Sequence, residues 1–137
     1  MACPYFYPVA RLDNREWTVA PRWPLGDAYR GECRALDEPF QPDEKLERET
    51  CNVGYGRGCC GNFPSESDAD AARFHIARDS GAALSIQYIV EKGWWPLRHG
   101  VMEYSSATKS FTDAPQDPIL GRQASAFAES YLRRRDS

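Results

Sequence analysis

Five cysteines are the residues of this 137-residue chain best able to do chemistry: Cys3, Cys33, Cys51, Cys59 and Cys60. Thiolates bind iron and zinc strongly, and in an oxidising compartment they pair as disulfides. No two of the five form a Cys-x-x-Cys knuckle. Zinc ribbons and fingers usually supply ligands as such knuckles, because a tight turn presents two sulfurs to one tetrahedral ion. Separated ligands on irregular backbone fit a cubane cluster better, since its irons point in four directions and accept sulfur from four loops. The usual ferredoxin spacings are also missing, so the expectation rests on geometry and not on a motif. It is a 4Fe-4S cluster, with one structural zinc as the alternative. Cys59 and Cys60 compete for the fourth place, because the side chains of adjacent residues diverge.

The elements that must position these thiols fall in two unlike halves. Up to Pro64 lie all five cysteines, seven of the ten prolines and six of the ten glycines. Ordering such a stretch costs about 1–2 kcal/mol of backbone entropy per residue, and the cysteines are the available staples. One short helix is expected there, with Pro42 as its first residue and Asp43 and Glu44 at the positive end of its dipole, running through Leu46 to about Thr50. Gly54 marks the exit, so Cys51 sits where helix gives way to the glycine-rich loop Gly54-Tyr55-Gly56-Arg57-Gly58. That loop permits positive φ, and its N–H groups are candidates for an anion nest facing sulfur. Arg57, helped by Arg22, Arg30 and Arg34, is a candidate to balance cluster charge, although a solvated surface charge is the better reading for any one arginine. Tyr5, Phe6, Tyr7, Trp17, Trp23, Tyr29, Tyr55 and Phe63 interleave with the cysteines. They read equally as walls that exclude water and as plain core.

The second half reads as ordinary α+β. Phe74 and Ile76 share one face of a strand over 72–77. Leu84, Ile86, Tyr88 and Val90 share one face of a second, after the turn signal Asp79-Ser80-Gly81. A third strand is expected around Val101–Tyr104, completing a three-stranded antiparallel sheet. The C-terminal helix starts at Asp117 as N-cap with Pro118 next. Leu120, Ala124, Phe127 and Tyr131 form its apolar face and Arg133–Arg135 suit its C-terminal end. The fold expected is therefore a loop-rich cysteine lobe (1–65) packed on a small antiparallel sheet with a C-terminal helix (66–137), in one domain. His75 reads as an exposed strand residue and His99 as a loop residue. Trp94-Trp95, at a hairpin end, reads as a cover for the sheet or the cysteine lobe, or as a partner surface.

The segments Cys3-Pro4-Tyr5-Phe6, Pro24-Leu25-Gly26-Asp27, Gly31-Glu32-Cys33, Cys51-Asn52-Val53-Gly54-Tyr55 with Arg57-Gly58, and Phe63-Pro64 resemble a group of small bacterial proteins with no assigned reaction. The resemblance continues through Asp70–Phe74 and 96–104. It implies a bacterial source and a four-cysteine plan in which the last cysteine lies three residues before the Phe-Pro pair. That picks Cys60, so the expected ligands are Cys3, Cys33, Cys51 and Cys60, with Cys59 as a spare thiol.

The charge pattern excludes some function classes. Net charge is −3, and the only basic block is Arg133–Arg135, which argues against a nucleic-acid partner. No apolar run approaches the ~20 residues that cross a bilayer. The N-terminus lacks a charged and apolar leader, so no secretory signal is expected and the cytoplasm is the expected location. No Ser/His/Asp arrangement exists, and Asp68-x-Asp70 is too short a carboxylate set for calcium. An enzyme using Arg57 or His99 is therefore the weakest reading. Four cysteines complete the shell of a cubane, which favours electron transfer or redox and oxygen sensing with a protein redox partner. Oligomeric state is left open.

Overall fold

In a computed structural model of the chain, residues 1–12, 23–113 and 116–136 are described. Trp17 and Arg22 lie outside them. The architecture is α+β, with two antiparallel sheets and a long C-terminal helix.

The N-terminal lobe is more regular than its composition implies. Strand β1 (Phe6–Arg11) pairs with β2 (Tyr29–Cys33), with Phe6 opposite Cys33. Gly31 is required in this pair: a Cβ there would lie 2.2 Å from the Tyr7 carbonyl oxygen. The expected short helix starts two residues later than Pro42. Asp43 is the N-cap and accepts from the Leu46 N–H at 2.8 Å. Helix α1 (Glu44–Leu46) then widens into a π-helical turn, Glu47–Cys51, that Gly54 leaves at φ +80°. Short π stretches of this kind recur at functional sites.

The second sheet has four strands and not three. Its order is β3 (Ala71–Asp79), β4 (Ala83–Lys92), β5 (Trp95–Ser105) and β6 (Ser110–Asp113). Leu84, Ile86 and Val90 are buried as their alternation requires, with Ile76 opposite Ile86 and Phe74 opposite Tyr88. β5 starts at Trp95, so His99 is an exposed strand residue paired with Ile89 and does not lie in a loop. A bulge between Val90 and Glu91 in the β4–β5 register accommodates Pro96 near its start.

Helix α2 (Pro118–Arg135) begins as expected, with the Asp117 carboxylate accepting from the Ile119 and Leu120 N–H groups. One face lays Ala124 and Ala128 against Leu84, Ile86, Met102 and Tyr104. The neighbouring face carries Gln123, Ala126 and Ser130 to the cysteine lobe. The Tyr29 hydroxyl donates to the Ala126 carbonyl at 3.0 Å and lies 2.8 Å from the Ser130 hydroxyl. Arg133 and Arg134 close on the buried Asp27. At the other end of the lobe, Ala2 and Ala72 exchange two backbone hydrogen bonds. The helix thus ties both sheets together. No helix among the described residues is long and apolar enough to cross a membrane.

Candidate metal centre

Each of four cysteines is delivered by a different piece of backbone. Cys3 follows the Ala2–Ala72 bridge and donates its N–H to the Cys51 carbonyl at 3.0 Å. Cys33 ends β2 and is held by a reciprocal backbone pair with Phe40. Cys51 ends the π-helical turn. Cys60 closes a turn in which its N–H reaches the Gly56 carbonyl at 2.7 Å.

All four line one hollow, with walls from Tyr5, Phe6, Leu46, Thr50 and Phe63. Tyr5 and Phe63 meet edge to face at 5.6 Å. Every pair among the four thiols is close enough for one thiolate to disfavour the next. Cys59 is exposed and faces a separate shallow groove with Asp43, Lys45 and Glu49. None of the five is bridged. The expected set Cys3, Cys33, Cys51 and Cys60 is therefore brought together, and Cys59 is not.

The electrostatics follow from burial. Desolvation pushes the Cys3 thiol up to about 12, with repulsion from Cys33 and Cys60 adding to it. Desolvation raises Cys33 and Cys51 as well. Backbone N–H groups of Tyr5 and Phe6 at Cys3, and of Ala35 at Cys33, oppose the shift by favouring negative sulfur. The thiols of Cys3, Cys33 and Cys51 are thus neutral near pH 7 in the metal-free protein, and a cation among them would make their thiolates tolerable. The space between them is small, about 10 Å³, room for roughly one water. Among the described residues no group of three or more His, Cys, Asp or Glu side chains is gathered to hold a single ion. The thiols surround a hollow and do not converge on a point.

Several expected supporting roles fall elsewhere. Arg57 pairs with Asp70 at 2.8 Å and binds the Ser65 and Ser67 carbonyls, Arg30 pairs with Glu47, and Arg34 pairs with Glu32 while lying 3.6 Å from the Tyr7 ring centroid. None of the three lines the hollow. The anion nest is not formed at the start of the glycine loop, because the Gly54 and Tyr55 N–H groups go to the Thr50 and Asp70 carbonyls. Of the aromatics, Tyr5, Phe6 and Phe63 are walls. Tyr29 is core, and Tyr55 stacks on Trp94.

Three positioning residues were not singled out from the sequence. Asn52 is fully buried; its side chain accepts from the Tyr29 N–H at 3.0 Å and donates to the Tyr29 and Glu47 carbonyls. Glu47, also fully buried, accepts from the Gly31 N–H at 2.7 Å and from Arg30. Together they lock the turn bearing Cys51 onto the strand bearing Cys33. Gln123 reaches from α2 to donate to the Cys3 and Phe6 carbonyls, both at 2.7 Å. Only Asn52 carried a sequence signal, its place beside Cys51.

No family model, curated protein or solved structure matches this chain.

Proposed function

We propose that this protein binds a 4Fe-4S cluster through Cys3, Cys33, Cys51 and Cys60, and serves electron transfer or redox and oxygen sensing with a protein redox partner. The observation that carries the reading is the meeting of four thiols from four separate backbone segments in one aromatic-walled hollow that excludes the adjacent Cys59. That separation is what a cluster asks for and one zinc ion does not. The four-cysteine plan implied by the resemblance uses the same positions. A cluster exceeds the present space, so loading pushes the thiols outward; the Tyr5–Phe63 wall is the side built only of half-buried rings. Four sulfur ligands leave no iron open to substrate, which is why electron transfer or sensing is favoured over catalysis.

The test is purification without air, followed by iron, sulfide and zinc analysis. A brown protein with iron and acid-labile sulfide is expected. Cys60→Ser should lose the metal and Cys59→Ser keep it. A colourless, iron-free preparation overturns the proposal, and stoichiometric zinc in iron-replete cells replaces it with a structural zinc module.

A further inference from the structure

The loop that carries Cys60 is fastened to the tip of the β4–β5 hairpin as well as to its own lobe. The Tyr55 hydroxyl donates to the Glu91 carboxylate at 2.7 Å and accepts from the Trp94 N–H at 2.9 Å. The Tyr55 and Trp94 rings stack with centroids 3.7 Å apart and planes 11° apart. Asp70 takes Arg57 on one carboxylate oxygen and the Gly93 N–H on the other, both within 2.8 Å. Two residues of the cysteine loop, Tyr55 directly and Arg57 through Asp70, therefore hold both residues of the hairpin turn.

Both stacked aromatics are backbone exceptions. Tyr55 has φ +57° and Trp94 φ +71°, a left-handed conformation that bulky residues rarely adopt. Such residues persist only where their surroundings over-determine them. Here each is held by the other. The cysteine end is equally tight. A Cβ on Gly56, next to Tyr55, would lie 2.9 Å from Thr50 Cγ2 and 3.4 Å from Cys60 Cβ, and the Gly56 carbonyl accepts the N–H groups of Cys59 and Cys60. The turn and the start of β5 display the largest exposed apolar side chains described, Trp94 at 67% and Trp95 at 77% exposure, beside Leu97.

We infer that the hairpin turn and the Cys60 loop form one conformational unit, so that occupancy of the four thiols sets how Trp94 and Trp95 are presented. This rests on the proposed metal centre. With the thiols ligated, Cys60 holds the loop, Tyr55 stays left-handed and the stack holds the turn. With them free, only the stack and the Tyr55 hydroxyl bonds hold the loop, so loop and turn open more often and the tryptophan surface is less fixed. Occupancy shifts the equilibrium because metal binds only those arrangements of the loop that bring Cys60 to the other three thiols. Coupling is reciprocal, so loosening the turn must also loosen Cys60.

The reciprocal arm needs no metal. In reduced, metal-free protein, Tyr55→Phe keeps the ring but removes both hydroxyl bonds, and Trp94→Gly removes the stack while accepting the backbone angle. Each should speed N-ethylmaleimide labelling of the half-buried Cys60 by about tenfold, within the range usual for coupled sites, and leave the exposed Cys59 unchanged. An unchanged Cys60 rate in both variants overturns the inference. In the direct arm, wild-type protein reconstituted with iron and sulfide should show Gly93 and Trp94 amide exchange about tenfold slower than the metal-free form. Equal rates in protein carrying stoichiometric iron overturn it as well. Wild-type protein that takes up no iron refutes the metal centre instead, and the labelling arm then decides the coupling alone.

Discussion

The pH dependence of stability should have opposite signs with and without metal. In the metal-free protein, burial holds the Cys3 thiol at about 12 and raises Cys33 and Cys51 too. The folded state then keeps these protons more tightly than the unfolded chain does. The stability this contributes is fully present below the unfolded thiol value, about 8.5, and is lost as pH climbs toward the folded values. Each pH unit in that window removes about 1.4 kcal/mol per group. From pH 8.5 to 10, Cys3 alone therefore costs about 2 kcal/mol, and Cys33 and Cys51 add to it. That is a large share of the ~5–15 kcal/mol that holds a small domain folded. Tyr29, Tyr55, Tyr104 and Tyr131 are also raised above their ordinary value near 10, so they add to the loss only as pH approaches 10, where their unfolded forms begin to ionise. In the metal-loaded protein the folded thiolates carry no protons, and unfolding recaptures them. Stability then rises as pH increases to about 8.5. Urea midpoints of both forms at pH 7, 8.5 and 10, under reductant, measure the two slopes. Cys3→Ser in the metal-free protein should shrink the loss between pH 8.5 and 10 by about 2 kcal/mol. A flat metal-free profile over that interval, or the same slope in Cys3→Ser, would refute the assignment of buried neutral thiols.

The Asp27 contact predicts an asymmetry. Its carboxylate is fully buried, while Arg133 and Arg134 are 40% and 49% exposed. Asp27→Asn should cost about 1–2 kcal/mol, because the arginines return to water. The Arg133→Met/Arg134→Met double variant should cost about 3–5 kcal/mol, because it strands a buried charge; the reverse order in urea melts contradicts the pairing. Asn52→Ala removes three buried hydrogen bonds from the turn behind Cys51. It should destabilise by about 3 kcal/mol or more, read by thermal melting; a change below about 1 kcal/mol would show that the turn does not depend on it. Phe63→Ala opens the Tyr5–Phe63 wall. Cluster bleaching in air should accelerate several-fold in that variant with iron content per freshly purified chain unchanged, and an unaltered bleaching rate would count against the wall's role.

What the sequence discloses depends on how local the cause is. Asp117 and Pro118 cap their helix with neighbours three residues away, and the alternation from Leu84 to Val90 registers burial one residue at a time. Both are legible. β1 and β2 are not, because the pairing of Phe6 with Cys33 is set by partners far apart in the chain and by the one position, Gly31, where a side chain cannot fit. β6 is four residues long and too short for a period to show. The second face of α2 was hidden by its composition, since Gln123, Ala126 and Ser130 form a polar and small stripe that becomes core only opposite Tyr29 and Cys3. Arg57 illustrates the converse. A cation between cysteines invites a role at sulfur, yet Asp70, thirteen residues on, binds it first. Cys59 and Cys60 are chemically identical neighbours, and only backbone direction separates them.

The reach of Gln123 back to Cys3 has a consequence for biosynthesis. The two residues are separated by 120 positions. At translation speeds of ~5–20 residues per second, the amide that secures the first cysteine emerges roughly 6–24 s after it. Throughout that interval Cys3 has no clasp from the helix, and its thiol is open to whatever iron donor or oxidant the nascent chain meets. The clasp on the Cys3 backbone is thus timed by the arrival of α2.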